Sequence, residues 1–245
     1  MYKKGKYIIR ENKKLAEKVY RMVLEGDTQY IQRPGQFINI ELDGFYLRRP
    51  ISVCDYDDKT ITIIYKILGE GTEKMSTFQV GKELDILTGL GNGFSVKKAG
   101  DRPLLIGGGV GTPPMYNLCK ELIKLGAKPI VVLGFGSKEE VFYEKEFKNL
   151  GAEVYISTVD GSYQTKGFVT DVIKNLGGYT YYYACGPMNM LKAVYDVAEG
   201  DGEFSFEERM GCGFGACMGC TCKTKYVNKR ICKDGPVMRK EEIVW

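Results

Sequence analysis

The chain contains no histidine. That excludes a His-ligated zinc ion, a Rieske-type centre, a His-ligated haem and a Ser–His nucleophile pair. It removes many hydrolases and few redox proteins, because redox cofactors carry their own chemistry. No apolar run approaches the ~20 residues of a membrane span. The N-terminal Met-Tyr-Lys-Lys-Gly-Lys is followed by no signal-peptide core. The formal charge is only +4, with Lys and Arg dispersed, so no basic block argues for nucleic acid. There is no internal repeat and no low-complexity stretch. The expectation is a cytoplasmic chain that engages neither membrane nor nucleic acid. Its 245 residues, 44% apolar and 27% charged, suffice for two domains with cores of their own.

What the chain has is cysteine, concentrated near its C-terminus. Eight cysteines without an export signal point to metal or redox use rather than disulfide staples. Cys212, Cys217 and Cys220 read C-x4-C-x2-C, and Cys232 follows after eleven residues. The first three have plant-type [2Fe–2S] spacing, and a fourth thiolate completes the coordination. Gly211, Gly213, Gly215 and Gly219 interleave with them and let the backbone wrap an inorganic core. Structural zinc, which usually takes two C-x2-C-like pairs, and disulfides are the alternatives. Cys222 lies too close to Cys220 for easy joint ligation and reads as packing. Cys54, Cys119 and Cys185 stand among apolar neighbours and read as small core residues. Arg209, Lys223, Arg230 and Lys233 flank the loop; they could ease reduction of an anionic cluster, or simply be solvated surface.

Residues 1–99 read as β-rich. Short alternating runs at 6–10, 19–25, 36–42, 51–55, 60–67 and 83–87 are separated by turn signals such as Pro34-Gly35 and Asp43-Gly44, which predicts a small antiparallel barrel. From 100 to 206 the pattern becomes strand–helix alternation. Strands are predicted at 103–106, 129–135, 153–158, 181–185 and 203–207, and helices at 113–125, 138–150, 167–176 and 188–199. That is a doubly wound parallel sheet. Residues 207–245 follow as a cysteine-bearing appendage. The fold class is therefore β plus α/β with a small C-terminal loop domain.

Gly107, Gly108, Gly109 and Gly111 lead into Thr112 and Pro113 where the first parallel strand feeds its helix. Such a turn lets backbone approach a pyrophosphate at a helix N-terminus. It departs from G-x-G-x-x-G and is weak evidence alone. Cys185-Gly186-Pro187-Met188 ends a later strand on the same ligand-binding edge, and the pair reads as two walls of a nicotinamide nucleotide site. Cys185 is placed near the nicotinamide without a nucleophilic role, and no acid–base constellation is evident. Lys138 could meet a 2′-phosphate. In the β-rich part, Arg49 and Ser52 resemble the Arg-x-x-Ser flavin motif of the ferredoxin-reductase superfamily. Arg49 could pair with a pyrophosphate while Ser52 meets the isoalloxazine or ribityl chain. An exposed strand Arg is the plainer alternative. Gly71 and Thr72 would start a second phosphate-binding helix, and Ile64, Tyr65 and Lys66 could cover the adenylate or the ring.

The order of Arg-x-x-Ser barrel, Gly-rich turn, Cys-Gly-Pro-Met and four-cysteine loop resembles the electron-transfer subunit of the class B dihydroorotate dehydrogenases across nearly the whole chain. The most telling segments are 47–53, 207–224 with 232–237, and 107–115. The resemblance implies FAD on the barrel, touching Arg49, Pro50, Ile51 and Ser52 and the pair Gly71 and Thr72. It implies NAD(H) on the parallel domain and [2Fe–2S] on Cys212, Cys217, Cys220 and Cys232. It further implies an FMN-containing catalytic partner in a heterotetramer with two copies of each chain, and electron flow from dihydroorotate to NAD in pyrimidine biosynthesis. The interval before Cys232 is slightly short for that family. The small flavin subunit of NADH-dependent ferredoxin:NADP oxidoreductases, with relatives in sulfide and sulfite metabolism, resembles the same order of motifs. A binding module whose nucleotide site no longer turns over is the non-enzymatic alternative.

Overall fold

The first six strands close on themselves. They are β1 (Lys3–Ala16), β2 (Val19–Glu25), β3 (Phe37–Ile40), β4 (Arg49–Tyr56), β5 (Thr60–Lys66) and β6 (Glu83–Leu90), joined in the order β1-β2-β5-β4-β3-β6 with every pairing antiparallel and β6 returning to β1. The structure is a computed structural model and describes residues 2–245. β1 extends well beyond the predicted 6–10. Its first half pairs with β6 and its second half with β2, with irregular register between. The polar run Arg10–Lys14 reads as loop in sequence, yet a barrel strand needs only one apolar face. A short helix α1 (Glu70–Ser76) connects β5 to β6.

Inside the barrel, Ile9, Met22, Leu24, Ile38, Ile40, Val53, Ile61, Ile63, Tyr65 and Ile86 form one core. Residues opposite each other in β3 and β4 share a face. The pairs Ile38–Ile51, Phe37–Ser52 and Asn39–Pro50 therefore alternate inward and outward. Phe37 belongs to a different core, one shared with Cys220, Ile231 and Cys232. The outer face of β3 thus carries the cysteine segment.

The second unit holds β7 (Leu104–Gly108), α2 (Thr112–Lys124), β8 (Ile130–Phe135), α3 (Glu144–Asn149), β9 (Glu153–Thr158), the short β10 (Thr165–Lys166), α4 (Val169–Ile173), β11 (Tyr182–Cys185), α5 (Met188–Val197) and β12 (Gly202–Ser205). The remaining strands are β13 (Thr221–Lys223), β14 (Asn228–Arg230) and β15 (Val237–Arg239). The sheet order is β10-β9-β8-β7-β11-β12-β15, parallel except for β15. The chain winds outward from β7 and then restarts at β11, so the switch point lies between those neighbours.

One expectation is corrected here. The helix predicted over 138–150 begins only at Glu144; Lys138–Glu140 forms a single 3₁₀ turn and Tyr143 takes a left-handed φ of 67°. Phe142 and Tyr143 are buried, packing edge-to-face on Phe135 and Tyr116, and that anchoring outweighs helical continuity. The cysteine segment reaches back to the second unit, where β15 adds an antiparallel edge strand to the sheet. Asn92, just past the barrel, donates to the Val237 carbonyl at 2.8 Å and accepts from its N–H at 3.1 Å. No described helix is long and apolar enough to cross a membrane.

Candidate electron-transfer site

Three loops supply the chemistry-bearing residues. On the barrel, the two adjacent arginines of the 47–53 segment divide their work. Arg48 is a clamp: it donates to Asp85 Oδ1 at 2.6 Å and to the Asp85 and Asn39 carbonyls at 3.1 and 3.4 Å, and it pairs with Glu41. Arg49 meets no carboxylate among the described residues. It donates to the Leu47 carbonyl, and its guanidinium lies 4.7 Å from the Phe45 ring centre. It also passes over Gly71, where an added Cβ would stand 2.3 Å from Arg49 Nε. A half-buried cation held against a glycine at a helix start fits a diphosphate. Thr72 Oγ1 donates to the Gly69 carbonyl at 3.0 Å and accepts from the Leu68 N–H at 2.9 Å, fixing that turn. Pro50 and Ser52 face outward beside Asn39 and Phe37.

On β5 the alternation separates the three candidate residues. Ile64 is buried in the core shared with the second unit, and Lys66 pairs with Glu140 at 3.6 Å. Tyr65 turns into the barrel and donates to Asn12 Oδ1 at 2.9 Å. Its side chain does not reach the outer face, so only its main chain is available to a ligand there.

The switch point brings together the two segments that the sequence suggests as walls of a nucleotide site. Gly107 pairs directly with Cys185 across β7 and β11. Gly111 lies against the next loop, where a Cβ on it would stand 2.1 Å from the Cys185 carbonyl oxygen and 2.6 Å from Gly186 N. The turn Gly109–Gly111 packs against β5 of the barrel, and α2 packs along β4. Pro113 and Pro114 occupy the first turn of α2 and carry no N–H. The Thr112 N–H is already given to Gly109. A ligand at this turn would therefore meet closely approaching backbone more than a row of donors. Thr112 is fully buried and its hydroxyl has no partner among the described residues. Met190, which sequence inspection passes over, lies across both walls: a Cβ on Gly108 would meet its Sδ at 2.4 Å and one on Gly186 its Cε at 2.6 Å. Its position on the first turn of α5, facing the glycines, was the available signal. Cys185 is buried and burial pushes its thiol up to about 12, which suits packing and not attack. Lys138 lies 5.9 Å from the Tyr163 ring centre, at the carboxyl end of β8.

The cysteines come together in two pairs. Cys212 Sγ accepts the N–H groups of Ala216 at 3.2 Å and Cys217 at 3.4 Å, and the Cys217 thiol reaches it too. Burial alone would raise the Cys212 thiol, but these donors and the Phe214 N–H bring it down to about 6. Cys220 Sγ accepts from the Cys232 N–H at 3.4 Å; burial, then the Cys220 sulfur, pushes Cys232 up to about 12. Among the described residues no three Cys, Asp or Glu side chains converge on one point. A single tetrahedral zinc needs four ligands around one ion, whereas two thiol pairs suit a binuclear centre with two thiolates per iron. The residues therefore fit a [2Fe–2S] cluster. Cys217 is exposed while Cys220 and Cys232 are buried, so the centre would have one edge at the surface. Cys222 is set on β13, and Arg230 braces the loop by donating to the Gly215 carbonyl at 2.8 Å and to Asp234 Oδ2 at 2.9 Å. Lys233 lies along Gly215, where an added Cβ would stand 2.5 Å from its Cδ.

These units have known counterparts. Residues 207–244 match the iron–sulfur cluster binding domain of dihydroorotate dehydrogenase B, and residues 105–196 match the oxidoreductase NAD-binding domain. The structure is similar to the NADH-dependent reduced ferredoxin–NADP oxidoreductase, with a TM-score of 0.90, 29% identity and coverage of 98% of this chain and 90% of that one. A ferredoxin–NADP⁺ reductase from Neisseria gonorrhoeae with bound FAD and NADP shares the fold at a TM-score of 0.69 and 18% identity, over 80% of this chain and 90% of that one. The dihydroorotate dehydrogenase B (NAD⁺) electron transfer subunit of Bacillus cereus strain G9842 is 42% identical over the full length of both chains. That of Fusobacterium nucleatum is 47% identical over 94% of each. With barrel, nucleotide sheet and cysteine loop all matched in one continuous stretch, the chain belongs to the family of dihydroorotate dehydrogenase B electron transfer subunits.

Proposed function

We propose that this chain passes electrons between a catalytic partner subunit and NAD, through an iron–sulfur centre on its cysteine loop and FAD on its barrel. The observation that carries this reading is the convergence on the outer face of the barrel. The flavin-type segment, the Gly109–Gly111 turn and the cysteine loop all pack there. Bound FAD converts between two-electron and one-electron transfer, and the cluster supplies a one-electron path.

The chain's own residues position and insulate these groups. Arg49 with Gly71 and Thr72 holds the diphosphate, while Pro50 and Ser52 present the outer face to the ring. Gly107–Thr112 and Cys185–Met188 set the nicotinamide against the barrel. Cys212 with Cys217, and Cys220 with Cys232, hold one iron each. The partner is the FMN-bearing subunit that oxidises dihydroorotate, in a cytoplasmic heterotetramer with two copies of each chain.

Anaerobic, reconstituted protein tests this directly. NADH should bleach the flavin absorbance and then the iron–sulfur bands. Co-expressed with its partner, the complex should reduce NAD when given dihydroorotate. Colourless protein under every reconstitution would end the reading, and tight nucleotide binding without bleaching would favour a binding module. The likeness to the NADH-dependent ferredoxin–NADP oxidoreductase supports a second reading, in which the partner exchanges electrons with ferredoxin and NADP; dihydroorotate-independent turnover with those two would select it.

A further inference from the structure

Asn39 sits in the middle of β3, where a strand of a small barrel ordinarily carries apolar residues on any covered face. It is 1% exposed, and neither atom of its carboxamide has a hydrogen-bond partner among the described residues. Buried carboxamides without partners are rare, because the desolvated group loses its water and gains nothing. The side chain is aimed at the cysteine loop: a Cβ on Gly213, next to Cys212, would lie 2.3 Å from Asn39 Nδ2, and Gly213 has a φ of 81°. Its other neighbour is the flavin-type strand, since Asn39 pairs with Pro50 and shares the outer face with Phe37 and Ser52. Arg48 holds the Asn39 carbonyl from the other side at 3.4 Å, so the residue is fixed at the backbone and unsatisfied at the tip.

We propose that the Asn39 carboxamide N–H donates a hydrogen bond to a sulfur of the iron–sulfur centre, on the side of that centre facing the flavin strand, and so sets the centre's reduction potential. Reduction adds negative charge to the sulfurs, and a donor from the protein stabilises the reduced form. Asn39 is thereby a positioning residue for electron transfer and touches neither the nicotinamide nor the substrate of the partner. The inference rests on the reading of the loop as a [2Fe–2S] site.

The test is an EPR-monitored redox titration of the full-length holoprotein, wild type against Asn39→Leu and Asn39→Asp. Leu keeps the volume and lacks the donor. Asp keeps the shape, lacks the Nδ2 donor and adds negative charge. Both should make the cluster harder to reduce by about tenfold or more in the one-electron equilibrium, which is about 59 mV, with Asp the larger effect. The flavin potential and the rate of flavin bleaching by NADH should stay as in the wild type. Cluster potentials unchanged in both variants, or equal shifts in cluster and flavin, overturn the proposal. Should the Leu variant fail to fold, the Asp variant decides alone. A wild-type protein that forms no cluster signal refutes the [2Fe–2S] reading itself, which is a distinct result from an unshifted signal.

Discussion

Arg49 lies so close over Gly71 that a methyl group on that glycine would stand 2.3 Å from Nε and 2.6 Å from Nη2. The guanidinium has no carboxylate to fall back on among the described residues. Gly71→Ala should push it out of line with the helix start while leaving the barrel core untouched. A charge-assisted contact of this kind is worth about 1.5–3 kcal/mol, so FAD affinity should fall by about 10–100-fold. Fluorescence titration of the deflavinated protein measures this directly. Iron–sulfur absorbance per chain should not change.

The four-cysteine assignment makes a sharp contrast within one loop. Cys212→Ser, Cys217→Ser, Cys220→Ser and Cys232→Ser should each lose most of the visible iron–sulfur bands, because each removes one of two thiolates at an iron. Cys222→Ser should keep them. Cys222 is on β13, half-buried, and pairs across to Lys229. Iron and sulfide counts per chain check the result, and a Cys222→Ser protein without iron would show that the ligand set is misassigned.

Much of this arrangement was legible in residue patterns, and the losses have physical reasons. The barrel strands announced themselves because a covered inner face forces alternation, as in Ile61, Ile63 and Tyr65. The adjacency of Gly107–Gly111 and Cys185–Met188 was visible because both follow apolar strands that end at the same sheet edge. Lys138 to Tyr143 misled because Phe142 and Tyr143 are tertiary anchors, and packing overrides helix propensity. The strand Val237–Arg239 was invisible because three residues carry no period. Asn39 gave no local sign at all: its peculiarity is an unmet hydrogen-bonding demand, which exists only once Gly213 is folded against it.

Asp85 supplies a pH test of the clamp beside Asn39. It accepts from Arg48 at 2.6 Å and pairs with Lys4 at 3.1 Å. Burial raises its carboxyl, but Arg48 and Lys4 outweigh that and hold it below the usual carboxylate range. The folded state thus favours the ionised form more than the unfolded chain does. Its stabilisation is complete above the ordinary Asp value of about 3.9 and is lost as pH falls below it. Asp85→Asn should cost about 1 kcal/mol near pH 7, allowing for partial solvent screening, or about 2–4 °C in Tm. The difference between the two proteins should vanish at the acid end of a melting series, and a constant difference at every pH would refute the clamp.

Gly111 and Gly109 provide the last contrast, within a single turn. A methyl on Gly111 would stand 2.1 Å from the Cys185 carbonyl oxygen, and nothing there is a flexible side-chain tip that could swing aside. The two nucleotide walls must part or tilt. Overpacking of this kind costs about 1–3 kcal/mol, and a misplacement of this order at a hydride-transfer geometry can cost about 100-fold in rate. A methyl on Gly109 meets nothing within 4 Å, although its φ of 51° carries a backbone penalty of about 1 kcal/mol. Gly111→Ala should therefore lose about 100-fold in the rate of flavin bleaching by NADH, measured by anaerobic stopped flow, with FAD affinity and cluster bands kept within twofold. Gly109→Ala should lose stability by a similar amount and keep most of the rate. Equal rates for the two variants would mean that the contact between the Gly-rich turn and Cys185 does not shape the nicotinamide site.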